Sequence, residues 1–170
     1  DRTNAANAWK ADLFFSIHVN AFGTAEPGGY EDFTYPTVAA ETTNIRRAIH
    51  ASVAPFWAGH GRPNRGMKTA NFQVLRETAM PAVLTENGFI SNVKDAELLK
   101  QASFRQKLAE AMANGITSAL AMSPKQPITG TGTTIIGPAL VIMAQAQEWA
   151  RSRRAHQRFI DIAPVYWQIG

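Results

Sequence analysis

Two short apolar runs dominate what this chain can fold into, because each ends in an ionisable group. Leu13-Phe14-Phe15-Ser16-Ile17-His18-Val19 has the length of a buried strand and carries His18 near its carboxyl end. Pro81-Ala82-Val83-Leu84-Thr85-Glu86 has the same build and ends in Glu86, before Asn87-Gly88. Between them, residues 39–57 place Ile45, Ile49, Val53 and Phe56 at spacings of three and four, the period of an amphipathic helix. A second helical pattern covers residues 104–121, with Phe104, Leu108, Ala111 and Met112 on one face and Ser103 as its N-cap. Strand-length runs alternating with helices predict an α/β domain. Its expected form is three layers, a mainly parallel twisted sheet flanked by helices.

The remaining elements follow from local composition. Residues 3–10 read as a helix end, Tyr30-Glu31-Asp32-Phe33-Thr34-Tyr35 as an aromatic-rich strand, residues 59–66 as a Gly-rich loop and residues 72–76 as a strand. A further helix is expected to start at Asp95. From residue 123 the composition turns to Pro, Gly and Thr. The expected organisation is therefore an α/β domain over 1–122, a linker over 123–138 and the start of a second domain over 139–170. Cysteine is absent, which removes disulfides and thiolate ligands from consideration. No apolar run approaches the ~18 residues of a membrane-spanning helix. Net charge is +4, which either favours anionic partners such as nucleic acid, teichoic acid or acidic glycan-peptide polymers, or marks no more than a soluble surface. The densest basic cluster is only Arg151, Arg153 and Arg154, so nucleic acid is not expected as a partner.

In open α/β sheets, functional groups collect at the carboxyl ends of strands. Burying a His and a Glu there is costly without a task. An imidazole that binds metal beside a carboxylate that shuttles protons suits metal-assisted hydrolysis. The plain alternative is a His and a Glu satisfied by backbone groups at two strand ends. Elsewhere, His50 within the long helix reads as exposed or structural, His60 as a solvated loop residue and His156 as a surface residue of the tail. Glu31 and Asp32 read as strand-surface carboxylates, one of which could face the site. Arg65 is either a solvated loop charge or a contact to an anionic substrate group.

Separated words in a fixed order narrow these options. Arg2 and Ala6-Asn7, then Ala11-Asp12-Leu13-Phe14-Phe15-Ser16-Ile17-His18-Val19-Asn20-Ala21, open the series. Gly29-Tyr30-Glu31, Arg65-Gly66-Met67-Lys68, Val74-Leu75-Arg76, Met80-Pro81-Ala82-Val83-Leu84 and Glu86-Asn87-Gly88-Phe89-Ile90-Ser91-Asn92 follow it. Over residues 2–121 this series resembles the zinc-dependent N-acetylmuramoyl-L-alanine amidases. The resemblance implies a peptidoglycan hydrolase acting outside the cell or in the wall, with one Zn2+. It implies His18 as a metal ligand and Glu86 as the catalytic glutamate; Asn20 and Arg65 are the candidate substrate contacts beside them.

The family's other ligands, a His in a "GHGG"-like turn and a Glu, have no counterpart here. The first strand-helix unit of the family fold is accordingly expected to be missing, and this segment alone to be inactive and marginal in stability. The tail adds a shorter likeness. Ala144-Gln145-Ala146-Gln147-Glu148-Trp149-Ala150 and Phe159-Ile160-Asp161-Ile162-Ala163-Pro164-Val165-Tyr166-Trp167 resemble the lead-in of an endo-β-N-acetylglucosaminidase domain. The alternatives to an amidase are a non-catalytic wall-binding module and a different zinc hydrolase, such as a carboxypeptidase, on a similar sheet.

Overall fold

The computed structural model describes residues 2–121; the expected linker and second domain lie outside them. Chain order is α1 (Arg2–Trp9), β1 (Phe14–Asn20), β2 (Tyr30–Thr34), α2 (Ala40–Gly59), β3 (Asn64–Thr69), α3 (Gln73–Arg76), β4 (Ala82–Phe89), α4 (Val93–Lys100) and α5 (Ala102–Ala119). The four strands form one sheet in the order β1-β4-β2-β3. β1 pairs parallel with β4 and β2 parallel with β3, while β2 and β4 run antiparallel. The α/β expectation holds, with a sheet that is mixed at its centre.

Successive side chains on a strand point to opposite faces, and β4 uses both. Val83 joins Tyr30 in the larger core, against Ile45, Ile49, Val53 and Trp57 of α2 and Phe104, Leu108 and Met112 of α5. Ala82 and Leu84 face the other way, into a smaller cluster with Leu75, Phe14 and Phe33. All eight residues of β4 are buried, as expected of a central strand. The two long helices meet closely at Gly115. A Cβ there would lie 2.7 Å from the Ile49 Cα and 3.1 Å from the Ala48 carbonyl oxygen. The helix-weakening glycine is retained because nothing larger fits.

Several elements differ from expectation, each for a local reason. Residues 72–76 are not a strand: they form the single helical turn α3, whose N–H groups bond back, Arg76 to Phe72 O at 3.0 Å and Glu77 to Gln73 O at 2.9 Å. An apolar run this short fits either period. The expected loop over 59–66 gives way to strand β3 from Asn64. Its sequence, Asn-Arg-Gly-Met-Lys-Thr, lacks apolar alternation because it is an exposed sheet edge. Ser103 is not the cap of α5; the helix begins at Ala102 and Gln101 holds the cap position. α4 starts before Asp95, at Val93, because the Asn92 side chain caps it by accepting from the Asp95 N–H.

Candidate active site

His18 and Glu86 are direct register partners on β1 and β4, and Glu31 of β2 stands opposite Glu86 on its other side. Alternation puts all three on the face that carries Leu84 and Phe33, beyond the small cluster under α3. His18 Nδ1 lies 4.0 Å from Glu86 Oε1. The imidazole is 43% exposed, whereas the Glu86 side chain is 12% exposed. Glu86 Oε2 is buried and has no hydrogen-bond partner. Burial, reinforced by the charge of Glu31, pushes the Glu86 carboxyl up to about 7. A carboxyl poised there exchanges protons at neutral pH, the condition for general acid–base work.

Glu31 is of the opposite kind. It is buried, but Oε1 accepts from Asn20 Nδ2 at 3.1 Å, and Oε2 accepts from Arg65 Nε at 2.8 Å and Lys68 Nζ at 2.5 Å. Burial raises its carboxyl, but the hydrogen bonds and charges of Lys68 and Arg65 outweigh that and hold it below the ordinary value. The expected surface carboxylate is thus a buried, triply bonded anion beside Glu86. Asn20 is fixed at both ends of its amide, since its Oδ1 also accepts from the Ala21 N–H at 2.8 Å. Asn87 donates to the His18 carbonyl at 3.1 Å and to Thr85 Oγ1 at 3.0 Å, tying β1 to β4 where the register shifts after His18. Gly88 follows at φ 81°, and a Cβ there would meet the Trp57 ring at 2.8 Å.

Asp32 is likewise no surface carboxylate. Being next to Glu31 on the strand, it faces α2 and is fully buried. It takes Arg46 Nε and His50 Nδ1, each at 2.5 Å. His50 is therefore structural. His60 closes α2 instead of lying in a loop, its ring against Phe56 and Phe104 and its Nδ1 2.8 Å from the Phe56 carbonyl oxygen. Neither histidine is brought to the site, and His156 lies outside the described residues.

A further buried acid escaped the sequence reading. Asp95 accepts from the Gly29 N–H at 2.8 Å, the Phe89 N–H at 2.9 Å and Arg62 Nε at 2.5 Å. It clasps the start of β2 to the end of β4 and so sets the spacing between Glu31 and Glu86. A groove of about 490 Å3 lies beside this clasp, lined by His60, Arg62, Val93 and Lys94 among others. It holds neither His18 nor Glu86, which lie on the sheet face.

Among the described residues, no three His, Cys, Asp or Glu side chains converge as a metal site. Among the described residues His18 is the one imidazole on this face, Glu31 is held by three partners, and a catalytic zinc takes three protein ligands. These residues alone do not fit a zinc ion.

The fold and this face define a mixed α/β domain with a buried carboxyl, raised toward neutrality, and an imidazole beside it. Comparison with known proteins makes the class specific. The chain belongs to the N-acetylmuramoyl-L-alanine amidase family, whose model matches residues 1–118. It is 52% identical over 122 residues to the N-acetylmuramoyl-L-alanine amidase CwlM of Bacillus licheniformis, covering 72% of this chain and 46% of that one. It is 48% identical over 157 residues to a sporulation-specific N-acetylmuramoyl-L-alanine amidase of Bacillus subtilis, covering 91% of this chain and 58% of that one. The chain thus spans about half the length of these relatives. The catalytic domain of CwlV, an N-acetylmuramoyl-L-alanine amidase from Bacillus (Paenibacillus) polymyxa var. colistinus, superposes with a TM-score of 0.65 at 34% identity. That match covers 72% of this chain and 65% of the other.

Proposed function

We propose that the parent protein hydrolyses the amide bond between N-acetylmuramic acid and L-alanine in peptidoglycan, outside the cell or in the wall, with Glu86 as its general base and acid. The observation that carries this is the buried, unpartnered Glu86 Oε2 on a carboxyl raised to about 7, in a chain of this family. The ionised carboxylate takes a proton from water as the water oxygen adds to the lactyl carbonyl carbon. It returns that proton to the alanine nitrogen as the C–N bond breaks. Asn20 and Arg65 contact the substrate. The anionic wall polymers favoured by the net charge of +4 are further binding partners.

Zinc dependence is part of the proposal, with His18 as one ligand and the rest supplied from outside the described residues. The reading of residues 139–170 as the start of a glucosaminidase-like domain rests on the sequence words at 144–150 and 159–167 alone. The test is an end-group assay on purified peptidoglycan with zinc. The full-length parent is expected to release peptides with a new N-terminal alanine, and Glu86→Gln to release none while binding the same amount of zinc. Release of single amino acids would point to a carboxypeptidase. Salt-sensitive wall binding without any turnover would point to a binding module.

A further inference from the structure

The polar edge strand β3 carries a feature that the hydrolytic step does not use. Opposite β2, its register shifts between Tyr30–Asn64 and Asp32–Met67, so Arg65 and Gly66 form a bulge. Gly66 takes φ 86°, and its N–H is held by Asn64 Oδ1 at 2.8 Å. Bulges re-aim side chains, and this one brings Arg65 to the buried carboxylate of Glu31. The guanidinium is then fixed from two sides. Its Nε donates to Glu31 Oε2 at 2.8 Å, and its carbon sits 4.9 Å from the centre of the Phe89 ring. Among the described residues, neither Nη1 nor Nη2 has a hydrogen-bond partner, and the side chain is 32% exposed.

Charge counting agrees with that geometry. Lys68 also donates to Glu31 Oε2, so two cations share one carboxylate and the trio keeps one positive charge in excess. A guanidinium anchored through Nε still offers two parallel N–H donors, the fork that matches a carboxylate. Phe89 follows Glu86 by three residues on β4, and Glu31 is the register partner of Glu86 on β2, so both groups that hold the fork belong to the strands that carry Glu86 and its neighbour.

We infer that Arg65 is a specificity-determining carboxylate fork, selecting wall peptides that carry a free carboxylate close to the scissile amide over their carboxamide counterparts. This rests on the peptidoglycan amidase reading above and adds the ligand chemistry that reading leaves open. Glu31 and Phe89 are positioning residues: they hold the guanidinium and touch no substrate.

The experiment uses the full-length parent carrying Glu86→Gln, so that no ligand is consumed. Two ligands are titrated by NMR, N-acetylmuramoyl-L-alanyl-D-glutamic acid and the same molecule with its α-carboxyl as the amide. A charge-assisted bidentate contact predicts about tenfold or more tighter binding of the acid. Arg65→Gln should bring the two affinities together. Arg65→Lys, which keeps the charge and loses the fork, should leave a preference of only about twofold. Equal affinity of the two ligands without any change at Arg65, or an undiminished preference in Arg65→Gln, would overturn this inference and leave the amidase proposal standing. Binding of neither ligand would overturn the peptidoglycan reading, and this inference with it. Each variant is judged by the ratio of its own two affinities, so a general loss of stability does not imitate the expected result.

Discussion

Replacing Glu86 by Gln should change the stability of the metal-free chain in a way that depends on pH. In the folded chain this carboxyl is raised from an ordinary 4.5 to about 7, by burial first and the charge of Glu31 second. Between those two values the native state holds a proton that the unfolded state has released. Unfolding therefore becomes easier as pH rises from about 4.5, and the full cost is reached above about 7. At about 1.36 kcal/mol per pKa unit the cost would approach ~3 kcal/mol, and solvent reaching the carboxyl screens it to about 1–2 kcal/mol. Gln cannot ionise, so the difference between variant and parent should grow by that amount between pH 4.5 and 8, in favour of the variant. Any contact that the Gln amide gains or loses adds an offset that does not vary with pH. Urea denaturation at four or five pH values in the presence of a chelator reads the slope directly. A difference constant with pH would refute the claim that Glu86 is held protonated by its surroundings.

Three further outcomes follow from the same contacts. Glu31→Gln removes the second cause of the Glu86 shift and leaves Arg65 and Lys68 unneutralised beside it, so the Glu86 titration followed by NMR should move below 7. An unchanged or higher midpoint would refute that coupling. Gly115→Ala forces a Cβ to 2.7 Å from the Ile49 Cα and should cost about 1–3 kcal/mol through separation of α2 from α5, despite alanine's better helix propensity; a thermal melt checks it. Asp95→Ala leaves Arg62 without its buried partner and two N–H groups without an acceptor, so a loss of about 3–5 kcal/mol is expected in denaturant titration.

What could be read from the sequence was what repeats locally. β1 and β4 are apolar runs, so their existence was legible, and with it the position of His18 and Glu86 at their ends. The stripe of Ile45, Ile49 and Val53 marked α2 in the same way. β3 was not legible, because an edge strand exposed to water has no apolar face to alternate. α3 was misread because a run of five residues cannot distinguish a period of two from one of 3.6. The two cationic partners of Glu31 lay beyond local reading altogether: they come 34 and 37 residues later, on the strand that was missed.

That last gap decides which acids matter. The described chain buries four carboxylates, Glu31, Asp32, Glu86 and Asp95, and burial alone ranks none of them as functional. Three are compensated. Glu31 has two cations and an amide, Asp32 an arginine and a histidine, and Asp95 an arginine and two backbone N–H groups. Such acids lock elements together. Glu86 keeps a buried oxygen with no partner, an arrangement that costs stability unless something binds there. The compensated acids around it make that cost tolerable, since Asp95 and Glu31 hold the strands on either side in place. This contrast, not burial, separates Glu86 from the other three, and the proposed acid–base role rests on it.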